Sequence, residues 1–315
     1  MSFIHKIAPF FALIMLIQAR VSFACEFCTI PQMGKHEGVP AENKDENIFV
    51  KYIFEVHNFD VMDAQAAHEL HHDGHHFHDK VKEYVHHLNI GLTAEENLTF
   101  IADIPYVIRK SLEVDSHAIL GSKQTSEGLG DVTTAGLYRF WHEGDRSASA
   151  IAGVKFPSGE THEKNSIGTR FEAELQPGSG SFDYFWGGIA RFEGDRQDVT
   201  ANLVYILKRQ GAQDYTFGDV LSVSGLWEAS LLQRESSALK IGVDGNLQYE
   251  QRHKDRGKKI ADSGGVIFLL GPTLNVALND ATSVFASAHF PAYQNLGGVH
   301  QEMDYTWSAG GKITF

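Results

Sequence analysis

The sequence predicts an all-β fold, a transmembrane antiparallel β-barrel of about 12 strands behind a cleaved signal peptide. Three features carry this expectation. From Ile48 onward apolar and polar residues alternate with period two, the rhythm of a strand whose faces meet different media. The alternating segments are joined by connections that are short and long in turn, as in barrels with tight periplasmic turns and longer outer loops. The first 24 residues combine Lys6, an apolar stretch from Ile7 to Ile17, and small residues at Ser22 and Ala24, which is the layout of an export signal.

Twelve segments follow, at about 48–58, 81–93, 97–109, 129–142, 147–157, 182–193, 197–208, 214–229, 238–252, 263–277, 281–290 and 301–315. Each is long enough for the ~9–11 residues that a tilted membrane strand needs in the core. In the clearest, Leu239, Ile241, Val243, Leu247 and Tyr249 alternate with Lys240, Asp244, Asn246, Gln248 and Glu250. Thr169–Leu175 could add a thirteenth strand, but an odd count would leave the C-terminus outside, so it is assigned to the third outer loop. The last segment alternates Tyr305, Trp307, Ala309, Gly311, Ile313 and Phe315 with polar or small residues. An aromatic closing strand ending in Phe resembles the signal read by the barrel-assembly machinery. Soluble β-sandwiches also alternate, but their strands are shorter, ~5–6 residues.

Composition narrows the partners. The mean hydropathy of -0.22 argues against a helical membrane protein; a barrel with a polar lumen is compatible with it. Removing Lys6 and Arg20 with the leader leaves 25 basic residues against 40 acidic, formally −15. Nucleic acid is thereby excluded, since it needs a basic face; outer-membrane lipid and small solutes or ions are the expected partners. Residues 25–47 read as a periplasmic segment too short for a plug domain. Cys25 and Cys28 read as a disulfide loop in an oxidising compartment, with a thiolate metal or redox pair as the alternative.

Nine of the seventeen histidines fall between residues 57 and 87. His68, His71, His72, His75, His76 and His78 crowd the connection 59–80, which the topology places outside the cell. Neutral imidazole binds Zn, Cu and Ni, and a tract of this kind captures divalent transition metal loosely. The other reading is a solvated loop whose charge follows pH. No cofactor is required.

The alternation sends Arg109, Arg139, Lys155, Asp183, Arg191 and His289 into the lumen. Mixed signs there allow two readings, a field that selects polar or charged solutes, or ion pairs that brace the barrel. No Gly-x-Ser-x-Gly elbow and no His-Glu-x-x-His occur, so no enzyme is expected.

Three stretches carry a family resemblance: Gly128-Leu-Gly-Asp131, Ala152-Gly-Val-Lys-Phe-Pro-Ser-Gly159, and Leu175-Gln-Pro-Gly-Ser-Gly-Ser-Phe-Asp183. With the terminal strand they resemble the outer-membrane transporters named for the meta-cleavage pathway of phenol degradation, from about residue 125 onward. The resemblance implies a barrel that passes small hydrophobic or aromatic molecules. The His-rich loop and the Cys25/Cys28 start depart from that pattern. The leading expectation is therefore an outer-membrane channel of a Gram-negative bacterium whose outer loop concentrates a transition metal, zinc first. A channel for small organic molecules and a closed structural or metal-scavenging barrel are the alternatives.

Overall fold

The computed structural model describes residues 48–59, 78–113, 122–234, 236–297 and 302–315. The leader, Cys25, Cys28, and His68, His71, His72, His75 and His76 lie outside the described residues. The strands are β1 (Ile48–Phe59), β2 (His78–Glu95), β3 (Leu98–Glu113), β4 (Ser122–Leu129), β5 (Thr133–Glu143), β6 (Arg146–Lys155), β7 (Asp183–Glu193), β8 (Gln197–Leu207), β9 (Tyr215–Thr216), β10 (Val220–Gln233), β11 (Ala238–Glu250), β12 (Lys254–Asp255), β13 (Lys258–Lys259), β14 (Gly265–Ala277), β15 (Thr282–Leu296) and β16 (Met303–Thr314).

Twelve of these close into one antiparallel barrel, because β1 pairs with β2 on one side and β16 on the other. The remaining staves run β3, β5, β6, β7, β8, β10, β11, β14 and β15 in order. Closure removes both sheet edges and pairs the backbone internally, which is what hydrocarbon demands of a spanning sheet. Strands β9, β12 and β13 form a small separate sheet in the long connections.

The strand expected over 129–142 begins at Thr133 as β5, and the stretch before it, expected as a long connection, forms the additional strand β4. β4 pairs with the outer half of β3, Tyr106↔Leu129 to Glu113↔Ser122, and β5 with the inner half, Leu98↔Tyr138 to Asp103↔Thr133. The break at 130–132 lies beside Pro105 of β3, which has no N–H to give the ladder; its carbonyl still accepts from Gly130 N at 2.8 Å. The break turns Asp131 inward, where it is buried. β2 also starts further outward than expected, so the first outer connection shortens to 60–77, and β3 extends outward to Glu113. His78 opens β2 instead of lying in a loop. Thr169–Leu175 adds no stave: a bridge from Lys164 to Arg170 and a 3-10 turn at Ala173–Leu175 lie within the connection between β6 and β7.

One set of alternate residues faces outward. Leu88, Phe100, Trp186, Leu203, Ile241, Val243, Leu247, Leu270 and Leu274 are all exposed. Such a continuous apolar surface belongs in lipid.

Candidate functional site in the barrel lumen

The inward rows are not uniformly polar, which corrects the expectation of a polar lumen. One register row crosses eight strands: Phe49↔Gly91 on β1 and β2, Gly91↔Ile101 on β3, Ile101↔Ala135 on β5, Ala135↔Gly153 on β6, Gly153↔Phe185 on β7, Phe185↔Ile206 on β8 and Ile206↔Val220 on β10. Together with Ile151 its side chains form one buried apolar cluster. The two glycines are required by close approach. A Cβ at Gly91 would stand 2.0 Å from the Phe49 ring, and one at Gly153 would stand 2.2 Å from the Phe185 ring. Each phenyl ring therefore lies over the neighbouring strand.

Hydroxyl and amide groups pair across β8, β10 and β11 and across β15 and β16. Asn202 Nδ2 donates to Ser224 Oγ at 3.1 Å and Asn246 Nδ2 to Ser222 Oγ at 3.3 Å. Ser287 and Ser308 share a 2.8 Å hydrogen bond, and His289 Nε2 lies 3.0 Å from Asp244 Oδ2. The lumen thus has an apolar stripe crossing β1 to β10, a second buried apolar cluster of Phe59, Val81, Ile267, Leu269, Leu296 and Met303, and hydrogen-bonding groups along β10 to β16.

Charged residues line the stripe's outer side. Arg109 Nε donates to Glu83 at 2.8 Å, and its Nη1 donates to the carbonyl of Gln176. Lys155 Nζ lies 2.7 Å from Asp183 and 3.2 Å from Asp131, while Lys208 approaches Asp183 at 3.5 Å. Arg139 sits at the other end, donating to Asn97 Oδ1 and the Glu96 carbonyl. Arg191 joins it around a cavity of about 10 Å³. The sequence reading therefore places its six luminal residues around three separate points: Arg109, Lys155 and Asp183 toward the outer mouth, Arg139 and Arg191 at the periplasmic end, and His289 on the polar half. His57 and His87 converge on Glu55, their Nε2 atoms 3.3 and 4.0 Å from its Oε2. His87 Nδ1 lies 3.0 Å from Asp103. Among the described residues, no three His, Cys, Asp or Glu side chains form a metal-binding set.

The 156–182 connection folds back into the outer mouth. Asp131 accepts from Gly159 N and Ser179 N, at 2.9 and 2.8 Å. Gln176, only 2 % exposed, braces the turn by accepting from Glu163 N and donating to the carbonyls of Glu163 and Phe171. Glu174 then meets His253 from the 251–264 loop, at 3.3 Å, and His253 Nε2 lies 3.0 Å from Glu250. Burial, the largest influence, disfavours the imidazolium, but hydrogen bonds and charge from Glu174 and Glu250 outweigh it and hold the His253 pKa up to about 10. Beneath this loop, a cavity among His87, Asp103, Arg109, Lys155 and Gln176 measures about 20 Å³, room for about one water molecule.

The family described as "Putative MetA-pathway of phenol degradation" matches residues 81–292. The chain belongs to this family. The match starts at β2, well before residue 125, so the departing His-rich connection directly abuts family sequence. The barrel is also similar in structure to an outer membrane channel from Pseudomonas putida F1, with TM-score 0.61 and 13 % identity over 90 % of this chain and 98 % of that one. The β domain of the Bordetella autotransporter BrkA gives TM-score 0.48 and 10 % identity, over 85 % of this chain and 100 % of that one. At these identities the likeness is one of fold. No curated protein matches the sequence.

Proposed function

We propose that this member of the phenol-degradation family is an outer-membrane channel for small organic solutes that carry an apolar ring or chain and a polar group. The observation that carries the reading is the apolar register row from Phe49 to Val220, set against the hydroxyl and amide groups of β10 to β16. A purely polar filter has no use for two phenyl rings seated on glycines, whereas an aromatic solute gains by burying its ring there. The family's name supports the same solute class. No energy source is invoked, so transport runs down a gradient. The test is flux into proteoliposomes, corrected for protein-free vesicles. Benzoate is expected to enter faster than a pentose of similar mass. Equal rates, or a faster sugar, would remove the proposal.

A second reading keeps the metal. His57 and Glu55 stand near the outer end of β1, and His87 faces them from β2. The connection holding His68, His71, His72, His75 and His76 joins those two strands, so imidazoles above and below would offer a cation successive partners. Zinc is the first ion to test. Calorimetric titration of Zn, Cu and Ni, repeated with the histidines of 68–78 replaced by Ser, decides it: unchanged affinity rules out capture by the loop.

A further inference from the structure

On the lipid-facing wall, Lys82 of β2 and Lys110 of β3 are direct register partners. They share the outward face with Tyr84, Leu88, Phe100 and Tyr106. Like charges placed directly opposite on antiparallel strands repel, and a mere solubilising rim gains nothing from that placement. Both ammonium groups also gather over one ring: Lys82 Nζ is 5.6 Å and Lys110 Nζ 5.0 Å from the centroid of Tyr84. Among the described residues neither lysine forms an ion pair. The nearby acids lie to either side. Glu127 of β4 is level with Ile108, one row below Lys110, and Asp304 of β16 accepts from Asn58 at 3.0 Å.

Below the lysines an aromatic shelf continues down the wall. Phe54 stacks on Tyr84 at 6.3 Å, meets Trp307 edge-on at 5.3 Å, and lies 4.8 Å from the ring of His86. His86 Nδ1 is bonded to Tyr52 OH at 2.7 Å, which closes off polar atoms that would otherwise face hydrocarbon. A paired cationic head above a broad apolar shelf, at the outer rim of the wall, has the polarity profile of one ligand class: a phosphorylated glycolipid with its phosphate up and acyl chains down.

We propose that Lys82, Lys110 and Tyr84 form a binding site for a phosphate group of the outer leaflet's glycolipid, with Phe54 and Trp307 contacting its acyl chains. The bound phosphate relieves the Lys82–Lys110 repulsion and places the site beside the β1–β2 connection, at the mouth of the channel. The inference rests on the outer-membrane placement proposed above and is independent of the solute.

The experiment uses the full chain in detergent micelles, titrated with bisphosphorylated lipid A and read by native mass spectrometry. The Lys82→Gln/Lys110→Gln variant is expected to lose about tenfold or more in affinity, since each basic residue at a phosphate surface contributes measurably. Tyr84→Leu should lose less. Heat-modifiable mobility confirms that each variant is folded; both lysines project outward, so the barrel keeps its packing. Equal binding by the double variant, or by dephosphorylated lipid A, overturns the proposal. Displacement by inorganic phosphate at matched concentration would identify a free-anion site and overturn the lipid assignment. Any of these failures leaves the flux ratio of the channel untouched, so the two readings fail separately.

Discussion

Replacing His253 tests how the outer mouth is held. Its side chain is 2 % exposed and bridges Glu174 on the inserted connection to Glu250 at the end of β11, itself 2 % exposed. The His253→Leu change preserves volume and the packing against Tyr215 and Phe217, but leaves Glu250 buried without its cation. Breaking a buried pair in this way costs about 3–5 kcal/mol. The pKa points to the same scale: a rise from 6.5 to about 10 corresponds to at most ~5 kcal/mol at ~1.4 kcal/mol per unit. If the loss is local, opening of the inserted connection becomes about 10²–10⁴ times more frequent. Hydrogen exchange at pH 7 over Phe171–Gln176 reads this directly, with peptides from the periplasmic β7–β8 hairpin as the control. Because the folded pKa is raised, the stabilisation is complete below about pH 6.5, declines above it and is gone once pH exceeds about 10. Wild-type protection at 171–176, corrected for intrinsic exchange, should therefore fall between pH 7 and 10. Less than a threefold change in the variant, or pH-independent protection in the wild type, would refute the latch.

Three further outcomes follow from the same contacts. Gly153→Ala forces a methyl to within 2.2 Å of the Phe185 ring and 2.3 Å of the Thr134 carbonyl, and should lower unfolding free energy by about 1–3 kcal/mol in urea titrations of the lipid-folded protein. Arg109→Ala leaves Glu83, 2 % exposed, without its guanidinium partner and should cost about 3–5 kcal/mol in the same assay, with Arg109→Lys recovering only part because the fork to the Gln176 carbonyl is lost. Phe185→Ala widens the apolar row and should raise proteoliposome flux of a two-ring aromatic acid more than that of benzoate; an equal change for both would detach Phe185 from the solute path.

The barrel was legible because lipid imposes a strict rule on one face. Leu239 to Glu250 alternate without interruption, and strands of that kind could be placed to within a few residues. The apolar stripe was harder to read, since its residues sit in doublets that look like lapses of alternation: Phe100-Ile101, Ala150-Ile151, Phe185-Trp186. Each doublet sends one side chain to lipid and one to the lumen. Only the register, which lines up Ile101 and Phe185 across Ala135 and Gly153, turns them into a continuous surface. The inward places of Arg109, Lys155 and Asp183 followed from parity alone. Their partners did not, because Gln176, Asp131 and Lys208 arrive from distant sequence. Pro105 could have signalled the division between β4 and β5, since a proline weakens the strand opposite as well as its own. The Gly-Leu-Gly-Asp run, read as a strand opening, is where that break falls. The inserted 156–182 connection left a trace too: Phe171, Ala173 and Leu175 are apolar at alternate positions, which suggested a strand but serves to bury a loop within the mouth.

The claim that organic solutes travel along the stripe can be tested by locating one. Anomalous diffraction from crystals grown with a brominated phenol should place bromine against Phe49, Ile101 or Phe185, with the hydroxyl directed toward the β10–β16 half. Bromine found solely on the lipid-facing wall, or within the lumen only among Ser224, Asn246 and Ser287, would contradict the account.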